Sequence, residues 1–259
     1  MFRSVLAVLL CAPLAALAAP CKYEAPRHLQ LDLAGVRGVQ LEVRSFDLHV
    51  KAAPGTRQLQ LNGRACASEA SMLDRLQVNQ RREGDQLIVT LGGDRSGSGS
   101  GFNLFGASYA SLDVSVQLPP EMPTTVRVGS GDAWVSGLQQ LASIVGSGNL
   151  HVSNISGAFS TSVGSGDVDA NGVGSLKVGA VGSGDLKAQG VKGEANVGAI
   201  GSGDVKLRDI GGNVRVDTIG SGDLVVNGVG GSLSVGAKGS GDVNYSSVRG
   251  KVDVPRADD

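Results

Sequence analysis

The chain has 259 residues, of which 41% are hydrophobic, 3% are aromatic and 40 are glycine. That glycine share is about double the usual 7%, and 28 of the 40 fall between Gly129 and Gly241, so the excess belongs to a structured repeat and not to a linker. A formal net charge of −1 without a basic stripe argues against nucleic acid and anionic membrane surfaces as partners.

Residues 1–18 read as a secretory signal. Arg3 supplies the basic start, Val5 to Leu17 the apolar run, and Ala16-Leu17-Ala18 the small-residue cleavage site. The run is too short for an ordinary membrane span and no second one follows, so no transmembrane segment is expected after cleavage. Export, to the periplasm or outer cell envelope, decides how the cysteines are read. Cys11 leaves with the signal. Cys21 and Cys66 remain, an even count in an oxidising compartment, and are expected to form a disulfide. Lipidation of Cys21 is the competing reading, but Pro20 before it is a poor match to a lipobox.

Residues 19–128 are β-rich and irregular. Alternating segments occur at 30–33, 39–43, 48–50, 59–61, 86–91 and 112–118. Residues 68–75 predict one helical turn, with Ser71 and Asp74 in capping-box spacing. This half reads as wider coils that begin and cap a solenoid, with an independent β-sandwich as the alternative. Residues 92–111, with Gly-Ser-Gly-Ser-Gly and then Phe102, Leu104, Phe105 and Tyr109, read as an excursion loop from one coil.

Residues 129–254 are organised by one tetrapeptide. Gly-Ser-Gly-Asp occurs at 129–132, 164–167, 182–185, 201–204, 220–223 and 239–242, and the copy at 146–149 ends in Asn149. Successive copies start 17, 18, 18, 19, 19 and 19 residues apart, the period of a solenoid. The corner residues are Gly164, Gly166, Asp167, Gly182, Gly184, Asp185, Gly201, Gly203, Asp204, Gly220, Gly222 and Asp223. Their glycines are expected to supply φ > 0 and their aspartates to bond turn amides. Between corners lie in-out-in triplets such as Leu186-Lys187-Ala188 and Ala195-Asn196-Val197, with a second bend at Gly190-Val191. Such short strands bury a face only when stacked coil on coil. The fold class is therefore all-β, a parallel β-helix of about seven regular coils, right-handed by the general crossover rule. Residues 255–259 form a charged tail.

A Leu-Pro-Pro step at 118–120 followed by serial Gly-Ser-Gly-Asp coils resembles the auto-transporter adhesin, head GIN domain family, over roughly 35–254. The resemblance implies a right-handed, three-sided solenoid at the cell envelope and carries over no catalytic residue. The short stretch after Asp242 leaves no room for a translocator barrel.

No catalytic residue, cofactor or metal site is expected. The aspartates should stack into a ladder; calcium between coils is an alternative, but the ligand spacing of G-G-x-G-x-D-x-U-x is missing. His28 and His49 lack partners at zinc-ligand spacing. One outward column holds Trp134, His151, Asp169, Lys187, Lys206, Val225 and Asn244, which fits an ordinary solvated face or, at Trp134 and His151, a sugar platform. The function expected is a non-catalytic exported scaffold or adhesion module, with polysaccharide binding or cleavage as the alternative; partners would be an envelope protein or polysaccharide.

Overall fold

The computed structural model describes residues 21–92 and 108–255. The expected signal at 1–18, most of the excursion at 92–111 and the tail after Pro255 lie outside the described residues. All 20 described strands join one continuous sheet wound into a β-solenoid. Among the described residues no helix is long and apolar enough to cross a membrane.

Each coil contributes to two long ladders. The front ladder follows the Gly-Ser-Gly-Asp corner: Asp132–Ser136, the first halves of Asn149–Val163 and Asp167–Val181, then Leu186–Val191, Val205–Ile210, Leu224–Val229 and Val243–Val248. The back ladder precedes the corner: Thr124–Val128, Leu141–Val145, the second halves of the two long strands, then Ala195–Ile200, Val214–Ile219, Leu233–Lys238 and Val252–Asp253. A short third side joins them, with Lys192 and Gly193 N–H donating to the Val173 and Gly174 carbonyls of the coil before. All pairings in this region are parallel and join neighbouring coils, with register shifts between Asn149–Val163 and Asp167–Val181 at Ile155/Ala158 and Thr161/Val163.

In-register stacking sorts the sequence into columns. Leu150, Val168, Leu186, Val205 and Leu224 form one inward column, each at most 1% exposed. Ile155, Val173, Val191, Ile210 and Val229 form another. Burying each such side chain contributes about 1.5–3 kcal/mol against a core that no single coil could assemble. One polar intrusion is self-satisfied: Ser143 Oγ donates to Thr161 Oγ1 at 2.8 Å, one coil apart in a column that otherwise holds Val126, Val178, Val197 and Val216.

The N-terminal half joins this sheet out of chain order. Gly38–Val43 lies between Gln86–Leu91 and Thr124–Val128, and Asp47–Ala52 between Ala110–Leu118 and Asp132–Ser136, all parallel. Residues 38–52 therefore form a coil placed between one that contains Gln86–Leu91 and Ala110–Leu118 and one built from 124–136. Three antiparallel strands then close the end: Gln58–Ala67 on Ala110–Leu118, Tyr23–Asp32 on Gln58–Ala67, and Val78–Glu83 on Gln86–Leu91. Val78–Glu83 reads Val-Asn-Gln-Arg-Arg-Glu, a charged edge that discourages further pairing.

Cys21 and Cys66 are bonded, with Cα atoms 5.7 Å apart, and staple the outermost strand to its neighbour. The helical turn occupies Ala70–Leu73, but the expected capping box does not form. Its N-cap is Glu69 without a side-chain bond, Ser71 lies inside the turn, and Asp74 is at the C-cap. The turn is held from outside instead: Arg27 donates from Nε to the Leu76 carbonyl at 2.7 Å and from Nη2 to the Leu73 carbonyl at 2.8 Å.

Two outcomes follow from this packing. Ser143→Ala leaves the buried Thr161 hydroxyl without its partner and should cost about 1–3 kcal/mol, whereas Ser143→Ala with Thr161→Val should be near neutral, read as urea midpoints. Reducing the Cys21–Cys66 bond, which closes a 45-residue separation, should lower stability by roughly 4 kcal/mol in the same assay. Intact-mass analysis with and without reductant before alkylation checks that the bond is present in the purified protein.

Candidate functional site

The repeated corner is an accounting of backbone donors. In each copy the first glycine N–H donates to the carbonyl just before the corner one coil back, as Gly201 to Val181 at 2.7 Å. The serine and second-glycine N–H groups share the first-glycine carbonyl of that coil, as Ser202 and Gly203 do at Gly182. The fourth donor goes to a side chain. Asp185, Asp204, Asp223 and Asp242 N–H donate to Oδ1 of Asp167, Asp185, Asp204 and Asp223, at 3.0, 3.1, 3.2 and 2.9 Å. Each carboxylate thus caps an amide of the neighbouring coil and not one of its own turn.

The glycines serve a different purpose from the one expected. None of the Gly-Ser-Gly-Asp glycines has positive φ. A Cβ on Gly166, Gly184, Gly203 or Gly222 would instead overlap the carbonyl oxygen of the equivalent glycine one coil back, and one on Gly164, Gly182, Gly201 or Gly220 would come within 2.7–2.8 Å of such a carbonyl. The requirement is close backbone approach. The left-handed residues form a separate column at the second bend: Gly137, Asn154, Gly172, Gly190, Asp209, Gly228 and Ser247, with φ from 55° to 80°. Short polar residues can enter it because Asn, Asp and Ser tolerate this conformation better than branched ones.

Asn149 departs from the ladder. Its Nδ2 donates to Asp132 Oδ1 at 2.9 Å, its N–H donates to the same oxygen, and the Asp167 N–H turns to the Gly148 carbonyl. An amide at this position therefore neutralises part of a carboxylate column. The column is also longer than the repeat: Asp47 pairs with Asp113, and its neighbour Leu48 pairs with Ala133, which continues the line to Asp132. Asp47 and Asp113 escape notice in the sequence because no Gly-Ser-Gly precedes either. Among the described residues no group of three or more His, Cys, Asp or Glu is placed to hold a metal ion.

The front ladder's outer face carries the most varied chemistry. Register places His49, Trp134, His151, Asp169, Lys187, Lys206, Val225 and Asn244 in one column. His49 stacks on Trp134 at a centroid distance of 4.6 Å and 12°, and His151 stacks on the other side at 5.5 Å and 17°. His49 Nε2 lies 3.8 Å from Asp113 and His151 Nδ1 lies 4.0 Å from Asp169. Both faces of the indole are therefore covered, whereas a sugar platform needs an open face; Trp134 and His151 meet, but as a stack. His49 is absent from the column as read from sequence because its coil lies out of chain order. Below the stack, a concavity of about 420 Å³ runs between His151, Asp169, Lys187 and Lys206 on one side and Asn171, Gln189 and Arg208 on the other.

These features define a β-solenoid whose coils are locked by backbone ladders and side-chain caps. The chain belongs to the Toastrack DUF4097 family, whose model matches residues 39–255. No curated protein matches it. Among solved structures it is similar to a putative lipid binding protein from Parabacteroides distasonis, at 13% identity and TM-score 0.51 over 89% of this chain and 97% of that one. It is also similar to a putative adhesin from Bacteroides fragilis, at 14% identity and TM-score 0.39 over 90% and 98%. A putative cell adhesion protein from Clostridium sporogenes matches at 12% identity and TM-score 0.32 over 89% and 100%. At such identities the likeness to the Parabacteroides structure concerns the fold alone.

The two glycine columns should differ in how much substitution costs. Gly203→Ala forces the coils apart and should cost on the order of 3 kcal/mol. Gly190→Asn, at a position where other coils carry Asn and Asp, should cost less than about 1 kcal/mol. Asp204→Ala should cost about 1 kcal/mol, like loss of a helix cap, and Asp204→Asn less, since its oxygen still accepts. Thermal melts of the four variants check the ordering. A rise in melting temperature with calcium, lost on Asp204→Asn, would replace the capping role with a metal-binding one.

Proposed function

We propose that the protein is an exported, non-catalytic β-solenoid acting as a scaffold or adhesion module in the periplasm or outer cell envelope, comparable to the head region of the GIN-domain family that its repeats resemble. The observation that carries this reading is the occupation of the corner carboxylates by amides of adjacent coils. General acid–base work on glycans needs two carboxylates flanking the scissile bond, and these aspartates line a corner in single file instead. Family membership, the secretory pattern at 1–18 and the Cys21–Cys66 bond support export.

A second reading, that the front face binds polysaccharide, is favoured by the concavity lined by Asp169, Asn171, Gln189 and basic side chains. The two readings are compatible, since adhesion requires recognition without turnover.

Incubation of the purified mature protein with pectin, alginate and hyaluronan should yield no new reducing ends and no unsaturated products. Reproducible cleavage abolished by one Asp or Lys substitution on the front face would establish an enzyme in place of an adhesion module.

A further inference from the structure

We propose that the front-face groove bounded by Lys187, Lys206 and Arg208 binds an acidic polysaccharide, through charge-assisted contacts to its carboxylates or sulfates. The proposal rests on the second reading above, that this face recognises glycan.

Register brings the three cations onto two consecutive coils: Lys187 lies directly opposite Lys206, and Arg208 lies opposite Gln189. Lys206 Nζ reaches Asp204 at 3.8 Å. Lys187 and Arg208 make no ion pair or side-chain hydrogen bond among the described residues. Like charges placed opposite each other across strands are destabilising; Asp169, opposite Lys187 on its other side, offsets part of that cost, and an incoming anion would relieve the rest. The adjacent aspartates keep their charge while Oδ1 of Asp185 and Asp204 accepts the amides of Asp204 and Asp223, so they hold the cations near the corner column, and Lys187 and Arg208 remain the two that an anion can engage without displacing an ion pair.

The rest of the groove selects for a glycan over a small anion. It crosses four strands, on the order of 14 Å along the solenoid axis, which is longer than one anionic group. Asn171 and Gln189 offer carboxamides and Asp169 a carboxylate, suited to sugar hydroxyls. The guanidinium of Arg208 matches a planar uronate carboxylate.

Calorimetric titration with polygalacturonate and alginate oligomers tests the proposal, with dextran as the neutral probe and inorganic sulfate as the free anion. Saturable binding to the uronates that weakens with salt is expected, with little response to dextran or sulfate. Lys187→Gln with Arg208→Gln should weaken binding by at least about tenfold. The melting temperature should be unchanged or raised, because the opposed charges are gone; that separates a binding role from a structural one. Lys177→Gln on the back ladder should leave binding intact. Uronate affinity unaffected by the double variant, equal affinity for dextran, sulfate binding as tight as polymer, or tighter binding of duplex DNA would each overturn the proposal. Dextran binding indifferent to the double variant would remove the groove and leave the glycan-binding face. Failure of every glycan to bind would remove both. Cleavage of a bound uronate would overturn the non-catalytic assignment while leaving the groove in place.

Discussion

Coil-to-coil backbone contact at the Gly-Ser-Gly-Asp corner is the constraint on which the rest of the structure depends. Parallel strands demand one fixed spacing, about 4.8 Å, and the corner must keep that spacing while the chain turns. The first-glycine carbonyl manages it by accepting two N–H groups from the next coil. That arrangement brings the second-glycine carbonyl so close to the glycine of the next coil that no Cβ fits between them. Once the spacing is fixed, the apolar columns fall into register without any further instruction, and the core follows.

The same constraint explains the aspartates. With the first-glycine carbonyl already shared, the fourth corner N–H needs another acceptor, and a buried or half-buried amide left unpaired is costly. A short side-chain oxygen one coil back is within reach, and Asp supplies it. The cost is a file of like charges at strand spacing. Asn149 interrupts the file, and Lys206 approaches Asp204, so the charge is tempered by neighbours and not removed. Stability and surface electrostatics are thus set by one choice of residue, and the cations on the adjacent column sit in a field that the corner created.

Much of the regular half was legible from the sequence because its pairing repeats every 17 to 19 residues, so one coil reads the next. Trp134, His151, Asp169, Lys187 and Lys206 could be aligned as a column on that basis alone. The irregular half was not legible in the same way. Residues 38–52 pair with 86–91 and 113–118 on one side and with 124–128 and 133–136 on the other, and no local pattern announces such distant partners. His49 was therefore separated from Trp134 by 85 positions in sequence while touching it in space. The glycine roles were exchanged for a related reason: positive φ is a property of one residue, whereas close approach is a property of two coils. Sequence composition reports that glycine is needed but not which of these two demands it meets. The orientation of the Trp134 rings against the histidines likewise depends on side-chain packing between coils, which a column assignment does not contain.

The two ends of the described solenoid resolve the same edge problem in different ways. At the N-terminal end, strands reverse direction, and antiparallel partners replace coils; of the two edge strands, Val78–Glu83 presents charge instead of an apolar edge. At the last described coil, the inward columns themselves change character. Lys238 takes the slot of Ile219 and donates from Nζ to the Gly241 carbonyl at 3.0 Å, and Tyr245 takes the slot of Val226 while half exposed. An amphipathic side chain in an inward slot can cover the apolar column beneath it and keep its polar tip in water. A further coil could not stack on those residues without burying the Lys238 ammonium and the Tyr245 hydroxyl, so the identity of two side chains disfavours continuation of the rod in that direction. The front groove lies between these ends, on coils whose register is enforced from both sides, so the side chains that line it stand on the most firmly held strands.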